Sequence, residues 1–409
     1  MLLVRERKIT KTVGDLFVNG QTTRIVECKK FADLAEYCLY ENACLYRDGI
    51  YNYSFLYFTN DDKRKENVTF EHKGQTLLHR EVFEPLDQFG NVIERAVNNP
   101  LPFRSFLKGA YVSSRLVDKL TEIIYEDGCH AVLQLDAESV QIFHWAIKVS
   151  LLFIFRLANQ DSLCREFVKI KILNRLSGLD RNEWQDNFLK MAANVTDEQI
   201  EYEDIAPMYK IQMKCYKRLL VPGQARYIFT GPTESIEFRK EAAKRYGLVY
   251  ERSKVIFVVR RDRVIVNQRE LELYLCSKLN RELIEIVYLE DLSFEQQLKL
   301  MSKASLLISV HGAALTNVIF MPKMSALIEI TPPIFPSTLY ERIALQSYHT
   351  YFKFATDFQP SIHDAANYKF CTNRANLYEY YCFIVWRDAQ VYVNISKFSI
   401  IFEKVLEIL

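Results

Sequence analysis

From Lys254 onward the chain repeats one pattern: a short all-apolar run, a polar break, then a stretch whose apolar residues recur every three or four positions. The apolar runs are KVIFVV (Lys254–Val259), EIVYL (Glu285–Leu289), SLLISV (Ser305–Val310), ALIEI (Ala326–Ile330) and YFKFA (Tyr351–Ala355). Each has the length and the β-branched or aromatic content of a buried strand. Between them QRELELYLCSKL, FEQQLKLMSKA, AALTNVIF and YERIALQSYH read as helices. Asn267 is placed to cap the first, Ser293 with Gln296 forms a capping box at the second, and Pro322 stops the third. Phe294, Leu298 and Met301 mark the buried face of the second. Upstream, ESIEFRKEAAKRY (Glu234–Tyr246) predicts a helix with Gly247 as its C-cap, and RLLVPG a short strand closed by a Pro-Gly turn. Strands apolar throughout, alternating with helices, predict a parallel sheet with helices on both faces, joined by right-handed crossovers: a Rossmann-like α/β domain.

The first half is less regular. Asp136–Leu157 predicts a buried helix, and NDDKRKEN and LDQFGN read as charged turn and loop, with acidic, irregular sequence at Thr196–Asp204. The most lipid-like run, VQIFHWAIKVSLLFIFRLA, is interrupted by His144, Lys148 and Arg156, whereas a membrane span needs roughly 20 nearly uncharged apolar residues, so no transmembrane segment is expected. A chain of 409 residues exceeds what one core usually serves. The change in pattern near Leu219 divides it into residues 1–220 and 221–409.

A net charge of +2 argues against a nucleic-acid or polybasic membrane partner. The nine cysteines form no C-x-x-C pair and stand at no zinc-ligand spacing beside a histidine. Their odd number excludes a fully paired set, so mostly buried free thiols with one or two bridges are expected. In a lumenal chain Cys28, Cys38 and Cys44 are the candidates for bridging. MLLVRERKITK contains no signal-like apolar run, while N-x-S/T triplets begin at Asn52, Asn67, Asn194 and Asn394. These features predict a cytosolic protein, or one of the endoplasmic reticulum or Golgi lumen whose anchor is not in this chain.

In parallel sheets ligands bind beyond the carboxyl ends of the strands. Arg260, Arg261 and Arg263 follow the first strand, Glu290 and Asp291 the second, His311 and Gly312 the third, and Glu329 stands near the end of the fourth. That set suits a diphosphate. Gly312 admits close backbone approach, and the amides of the helix after it, beginning at Ala313, attract an anion. Arginine supplies permanent planar charge, and a carboxylate can accept from ribose hydroxyls. G-x-G-x-x-G, Walker and G-x-S-x-G motifs are absent, which disfavours a nicotinamide enzyme, a P-loop ATPase and an α/β-hydrolase.

VIFVVRRDRVIVNQREL, then LEDLSFEQQLKLMSKASLLISVHGAALTNVIFMP, then ALIEI, resembles the core of glycosyltransferase family 61. The family pattern is a strand ending in Ser-Arg, an Arg-x-x-x-Asn segment, a strand ending in HGAGLTN, and a Val-Glu-hydrophobe strand. The resemblance implies a GT-B-like architecture: two Rossmann-like domains with parallel sheets facing a cleft, the C-terminal one binding donor and the N-terminal one mostly acceptor. It implies inverting transfer from a UDP-sugar, N-acetylglucosamine first and xylose second, to a hydroxyl of a glycan or glycoprotein, without a bound metal or other cofactor. Carried over, Arg260 and Arg263 hold the diphosphate and Asn267 orders their loop. His311, Gly312, Ala313 and Thr316 line the phosphate turn, and Glu329 touches nucleoside or sugar. Phe143–Trp145 resembles the family's Asn-Tyr-x-His-Trp segment, which makes His144 the candidate base or acceptor contact. The chain departs from the family at Val259, Ala314, Gln141 and Lys148. These departures motivate an alternative, a catalytically silent sugar-nucleotide-binding or scaffold protein; a third possibility is an unrelated nucleotide enzyme preferring ATP or a nicotinamide.

Overall fold

The computed structural model describes residues 24–31, 35–48, 52–57, 108–111, 122–135, 141–159, 164–174, 183–203, 212–225, 227–363, 365–372 and 380–409. Two compact units divide the chain, Met1–Ile228 and Phe229–Leu409. The expected charged turn NDDKRKEN, the LDQFGN loop and Asn67 lie outside the described residues.

Eight strands form the sheet of the first unit: β1 (Arg24–Phe31), β2 (Ala35–Asp48), β3 (Asn52–Tyr57), β4 (Lys108–Tyr111), β5 (Glu122–Leu135), β6 (Lys169–Asn174), β7 (Ile200–Glu203) and β8 (Gln212–Ala225). Their order is β4-β3-β2-β8-β5-β6-β7, with β1 paired to β2. The β8-β5-β6-β7 half is parallel, as is β3 with β4. β2 instead runs antiparallel to β1, β3 and β8. A wholly parallel sheet was expected here, and the sheet is mixed. The physical reason is connection length: Phe31 to Ala35 and Asp48 to Asn52 leave no room for a crossover, so these neighbours fold back on one another. β8 also continues through Pro222 and Gly223, where a turn was expected. Pro222 lacks an N–H, and the β2–β8 register shifts between Ala35 and Tyr37, beside the Tyr37–Pro222 pair, as an irregularity that accommodates it. The acidic stretch after Thr196 likewise orders, as a single 3-10 turn leading into β7.

Helix α1 (Ile142–Ala158) is buried on almost every side, from Phe143 to Phe155. Its Trp145 donates Nε1–H to the carbonyl of Gln185 at 2.9 Å, on α2 (Glu183–Ala193). Among the described residues no helix is long and apolar enough to cross a membrane.

The second unit carries the pattern read from the sequence. Strands β9 (Lys254–Val258), β10 (Ile284–Val287), β11 (Ala304–Val310), β12 (Ala326–Thr331) and β13 (Thr350–Ala355) form one sheet in the order β10-β9-β11-β12-β13. Every pair is parallel. Helices α3 (Pro232–Tyr246), α4 (Gln268–Lys278), α5 (Phe294–Met301), α6 (Leu339–Gln346) and α7 (Ile395–Ile408) flank it. On one face Val255, Phe257, Leu306, Ile308 and Ile328 meet Leu271 and Leu275 of α4 and Phe398, Phe402 and Val405 of α7. Away from that cluster, rings of Phe229, Phe238, Phe294 and Phe320 pack on one another. Gly247 ends α3 at φ +63°, and the Ser293–Gln296 box opens α5. AALTNVIF winds as a 3-10 helix, Ala313–Phe320, with every side chain from Leu315 to Phe320 buried.

The thiol expectation is corrected. Of the described cysteines only Cys276 is free, and it is exposed. Cys129 bonds Cys164 and Cys371 bonds Cys382. Cys38 and Cys215 are bonded as well, on strands whose register sets them opposite Cys28 and Cys44.

Candidate functional site

The strand order reverses at β9: β10 lies on one side of it and β11 on the other. Crossovers leave such a point in opposite directions, and the region beyond the ends of β9 and β11 is the usual ligand position in sheets of this kind. The segment after β9 brings Arg260 and Arg263 there, and the segment after β11 brings His311 and Gly312.

These two segments touch. Arg263 donates Nη1–H to the His311 carbonyl at 2.8 Å. Gly312 lies so close to the arginines that a Cβ on it would fall 1.4 Å from Arg260 Nη1 and 2.7 Å from Arg263 Nη1. Only glycine leaves room for both guanidinium groups. Asp262 grips Arg260 from the other side through two bonds, Nε to Oδ1 at 2.8 Å and Nη2 to Oδ2 at 2.7 Å. Asp388 meets Arg263 Nη2 at 3.3 Å and is itself held by Arg387 at 2.8 Å. The arginine side chains are only 12% and 11% exposed, yet Arg260 Nη1 and Arg263 Nε have no hydrogen-bond partner. A buried N–H without an acceptor costs about 1–3 kcal/mol, more for a charged group. Such donors, on the segment that meets the start of the 3-10 helix, are of the kind that an anion with several oxygen acceptors satisfies.

The electrostatics agree with this. Burial, and then the charge of Arg260, lowers the Arg263 guanidinium from its ordinary value. Burial works to raise the Asp262 carboxyl, but the Arg260 hydrogen bond and charge outweigh it and hold it below the usual carboxylate range.

Asn267 occupies the position before α4, but its side chain does not cap that helix. It donates Nδ2–H to the Val393 carbonyl at 2.8 Å and accepts the Val393 N–H at 2.9 Å. This clamp and the Ile265–Val391 bridge tie the arginine segment to the stretch before α7. Arg261 turns away from its neighbours. It stacks 4.5 Å over Tyr288 and pairs with Glu290 and Asp291 as a surface cluster of its own.

His311 and Glu329 depart most from expectation. The His311 ring is turned inward, 5% exposed, against the rings of Phe335 and Tyr340 at 4.5 and 5.1 Å. Its Nδ1 is bonded to Glu329, whose other oxygen accepts the Tyr351 hydroxyl at 2.6 Å. Burial lowers the His311 pKa despite the opposing pull of Glu329, which favours the neutral ring. Glu329 is 0% exposed. A carboxylate in a buried central strand needs such partners, and what the turn offers a ligand is the backbone after His311 rather than its imidazole. Ala313 is half-buried at the turn and Thr316 lies fully inside. His144 belongs to the first unit, half-buried on α1 with its ring edge-on to Phe143 at 5.2 Å; Lys148 follows one helical turn later.

Asp262, Asp388, Tyr340 and Tyr351 were not singled out in the sequence. Asp262 sits inside RRDRV and Asp388 inside WRDAQ, so proximity to the motif arginines was the available signal for the first alone.

A family model described as Glycosyltransferase 61 matches residues 142–328, from α1 to β12. Protein O-linked-mannose beta-1,4-N-acetylglucosaminyltransferase 2 of Xenopus laevis is 36% identical over 98 residues, which make up 24% of this chain and 16% of the relative. The same-named protein of Xenopus tropicalis is 37% identical over 93 residues, 23% of this chain and 15% of its own. That of Canis lupus familiaris is 36% identical over 89 residues, 22% and 14%. The matched stretch thus spans only 16% or less of the length of these relatives. Residues 142–328, which hold both the arginine segment and the His311–Gly312 turn, are thus similar to glycosyltransferase family 61.

Proposed function

We propose that the chain is an inverting glycosyltransferase that takes a sugar from a UDP-sugar, N-acetylglucosamine before xylose, and transfers it to a hydroxyl of a glycan or glycoprotein. The observation that carries this is the packing of both arginine heads against the Cβ-less Gly312, with Arg260 Nη1 there a buried N–H donor without a partner. The family match and the names of the relatives support the sugar-transfer chemistry and the choice of N-acetylglucosamine. The two units then act as a GT-B pair, donor on the second and acceptor on the first.

In the proposed reaction the acceptor oxygen attacks the anomeric carbon from the face opposite the diphosphate. A carbon–oxygen bond forms to the acceptor as the bond to the diphosphate oxygen breaks, and configuration inverts. Negative charge grows on the departing diphosphate, where Arg260, Arg263 and the amides of Ala313 and Ala314 supply donors fixed in advance. Protein groups thus meet that charge without a metal ion. Asn267 holds the arginine segment, and Glu329 with Tyr351 fixes the His311–Gly312 turn from beneath. The acceptor proton passes to a general base, for which His144 is the candidate.

Titration calorimetry with UDP tests the donor site. Arg260→Ala removes charge-assisted bonds worth about 1.5–3 kcal/mol each, so affinity should drop about tenfold to a hundredfold. Unchanged affinity removes the assigned role. A second reading, donor binding without transfer, is favoured by Lys148 one turn beyond His144, where a cation opposes uptake of a proton. Release of UDP from the donor by the wild-type protein, lost in Arg260→Ala, decides against it.

A further inference from the structure

Asn194 stands just beyond the last residue of α2, at φ +54°. This left-handed conformation ends many helices, and asparagine tolerates it better than most side chains. The turn is anchored by its next residue: the Val195 N–H returns to the Lys190 carbonyl at 3.1 Å, and the Val195 side chain is 2% exposed. With Val195 buried, Asn194 and Thr196 on either side of it are left exposed to solvent. Asn194-Val195-Thr196 is an N-x-S/T acceptor triplet on a surface turn.

Asn394-Ile395-Ser396 is built differently. Asn394 is half-buried and its side-chain oxygen accepts the Lys397 N–H at 3.2 Å, capping α7. Disulfides occur in both units, Cys129–Cys164 in the first and Cys371–Cys382 in the second. Bonds of this kind persist in oxidising compartments, chiefly the secretory pathway, where asparagine triplets are also modified.

We infer that Asn194 carries an N-linked glycan and that Asn394 does not. In the modification Asn194 Nδ2 forms a bond to the anomeric carbon of an oligosaccharide carried on a lipid diphosphate. The bond from that carbon to the phosphate oxygen breaks, one amide proton is released, and the lipid diphosphate departs; the secretory pathway of the cell supplies the donor. The folded turn accepts the product without rearrangement, because Asn194 points its amide to water and makes no cap. At Asn394 the cap orients the side chain through its oxygen, and a glycan on the nitrogen would conflict with the partial burial of that side chain.

The test uses full-length protein purified from the secretory pathway of a eukaryotic host. Enzymatic release of N-glycans in heavy-oxygen water marks each formerly modified asparagine as a labelled aspartate, read by peptide mass spectrometry. The expected result is label at Asn194, none at Asn394, and an intact Cys129–Cys164 bond. Asn194→Gln and Thr196→Ala should each remove one glycan from the electrophoretic pattern, Thr196→Ser should keep it, and Asn394→Gln should change nothing. Unlabelled Asn194 in disulfide-bonded protein overturns the inference. So does label at Asn394, or recovery of the chain with Cys129 and Cys164 reduced.

Discussion

Replacing Gly312 by alanine puts one carbon where Arg260 now lies. The added atom would stand 1.4 Å from Nη1 and 2.5 Å from Cζ of Arg260, and 2.7 Å from Nη1 of Arg263. Ordinary contact between such atoms is about 3.5 Å, so the Arg260 head must retreat by about 2 Å. That exceeds the slack in a bidentate pair at 2.7 and 2.8 Å, and the grip of Asp262 is broken. The obstructing group is the far end of a flexible side chain and can give way, but Gly312 stands at φ +159°, which alanine rarely adopts, so the variant also loses some stability. What is lost is the buried donor. The expected outcome is UDP affinity reduced about tenfold to a hundredfold, the same range as for Arg260→Ala, at roughly 1.5–3 kcal/mol per charge-assisted bond. Because the alanine acts by evicting Arg260, the double variant should bind no worse than Arg260→Ala alone. Calorimetry with UDP on the four proteins, with melting curves in parallel, reads both effects. Wild-type affinity in Gly312→Ala, or losses that add in the double variant, would refute the reasoning.

Asn267→Ala removes both bonds to Val393 and should cost about 1–3 kcal/mol in urea denaturation, with weaker UDP binding as the arginine segment loosens. A variant as stable as wild type would show that the clamp contributes nothing. Burial holds His311 below its ordinary value and His349 down to about 3. The unfolded chain takes up those protons near pH 6.5 and the folded chain does not, so stability is full above that pH and falls with acidification below it. His349→Gln should flatten the fall in denaturation midpoint between neutral pH and about pH 5; an unaltered slope counts against a neutral buried His349. On a chain-entropy estimate, removing Cys129–Cys164, 35 residues apart, costs about 4 kcal/mol, and removing Cys371–Cys382, 11 apart, about 3 kcal/mol. Paired serine variants measured by chemical denaturation check both magnitudes, and a loss under about 1 kcal/mol at either would contradict them.

The second unit was readable because its information is local. Each strand from β9 to β13 is a separate apolar block, and the caps at Gly247 and Ser293 mark helix ends within a few residues of where they fall. β10 shows the limit: it ends at Val287, and Leu289, apolar enough to extend it, begins a 3-10 turn instead. The first unit was opaque because its pairings are distant. β2 meets β8 with Cys38 opposite Val221, and nothing near either residue announces the other. The site divides in the same way. Convergence of Arg260, Arg263 and Gly312 follows from a rule about strand ends, which the sequence could invoke. The inward turn of His311 depends on Phe335, Tyr340 and a carboxylate bonded to Tyr351, partners that come together only across the folded sheet. Arg261 is the converse case, a motif residue whose neighbours Glu290 and Asp291 draw it to the surface.

Arg260 and Arg263 already have an acid at hand, Asp262 for one and Asp388 for the other. Asp388 also serves Arg387, so three guanidinium groups share two carboxylates and one positive charge is left over at the turn. On the proposed reading, a donor diphosphate would meet that remaining charge, and its selection over smaller anions would rest on how many fixed N–H groups its oxygens reach.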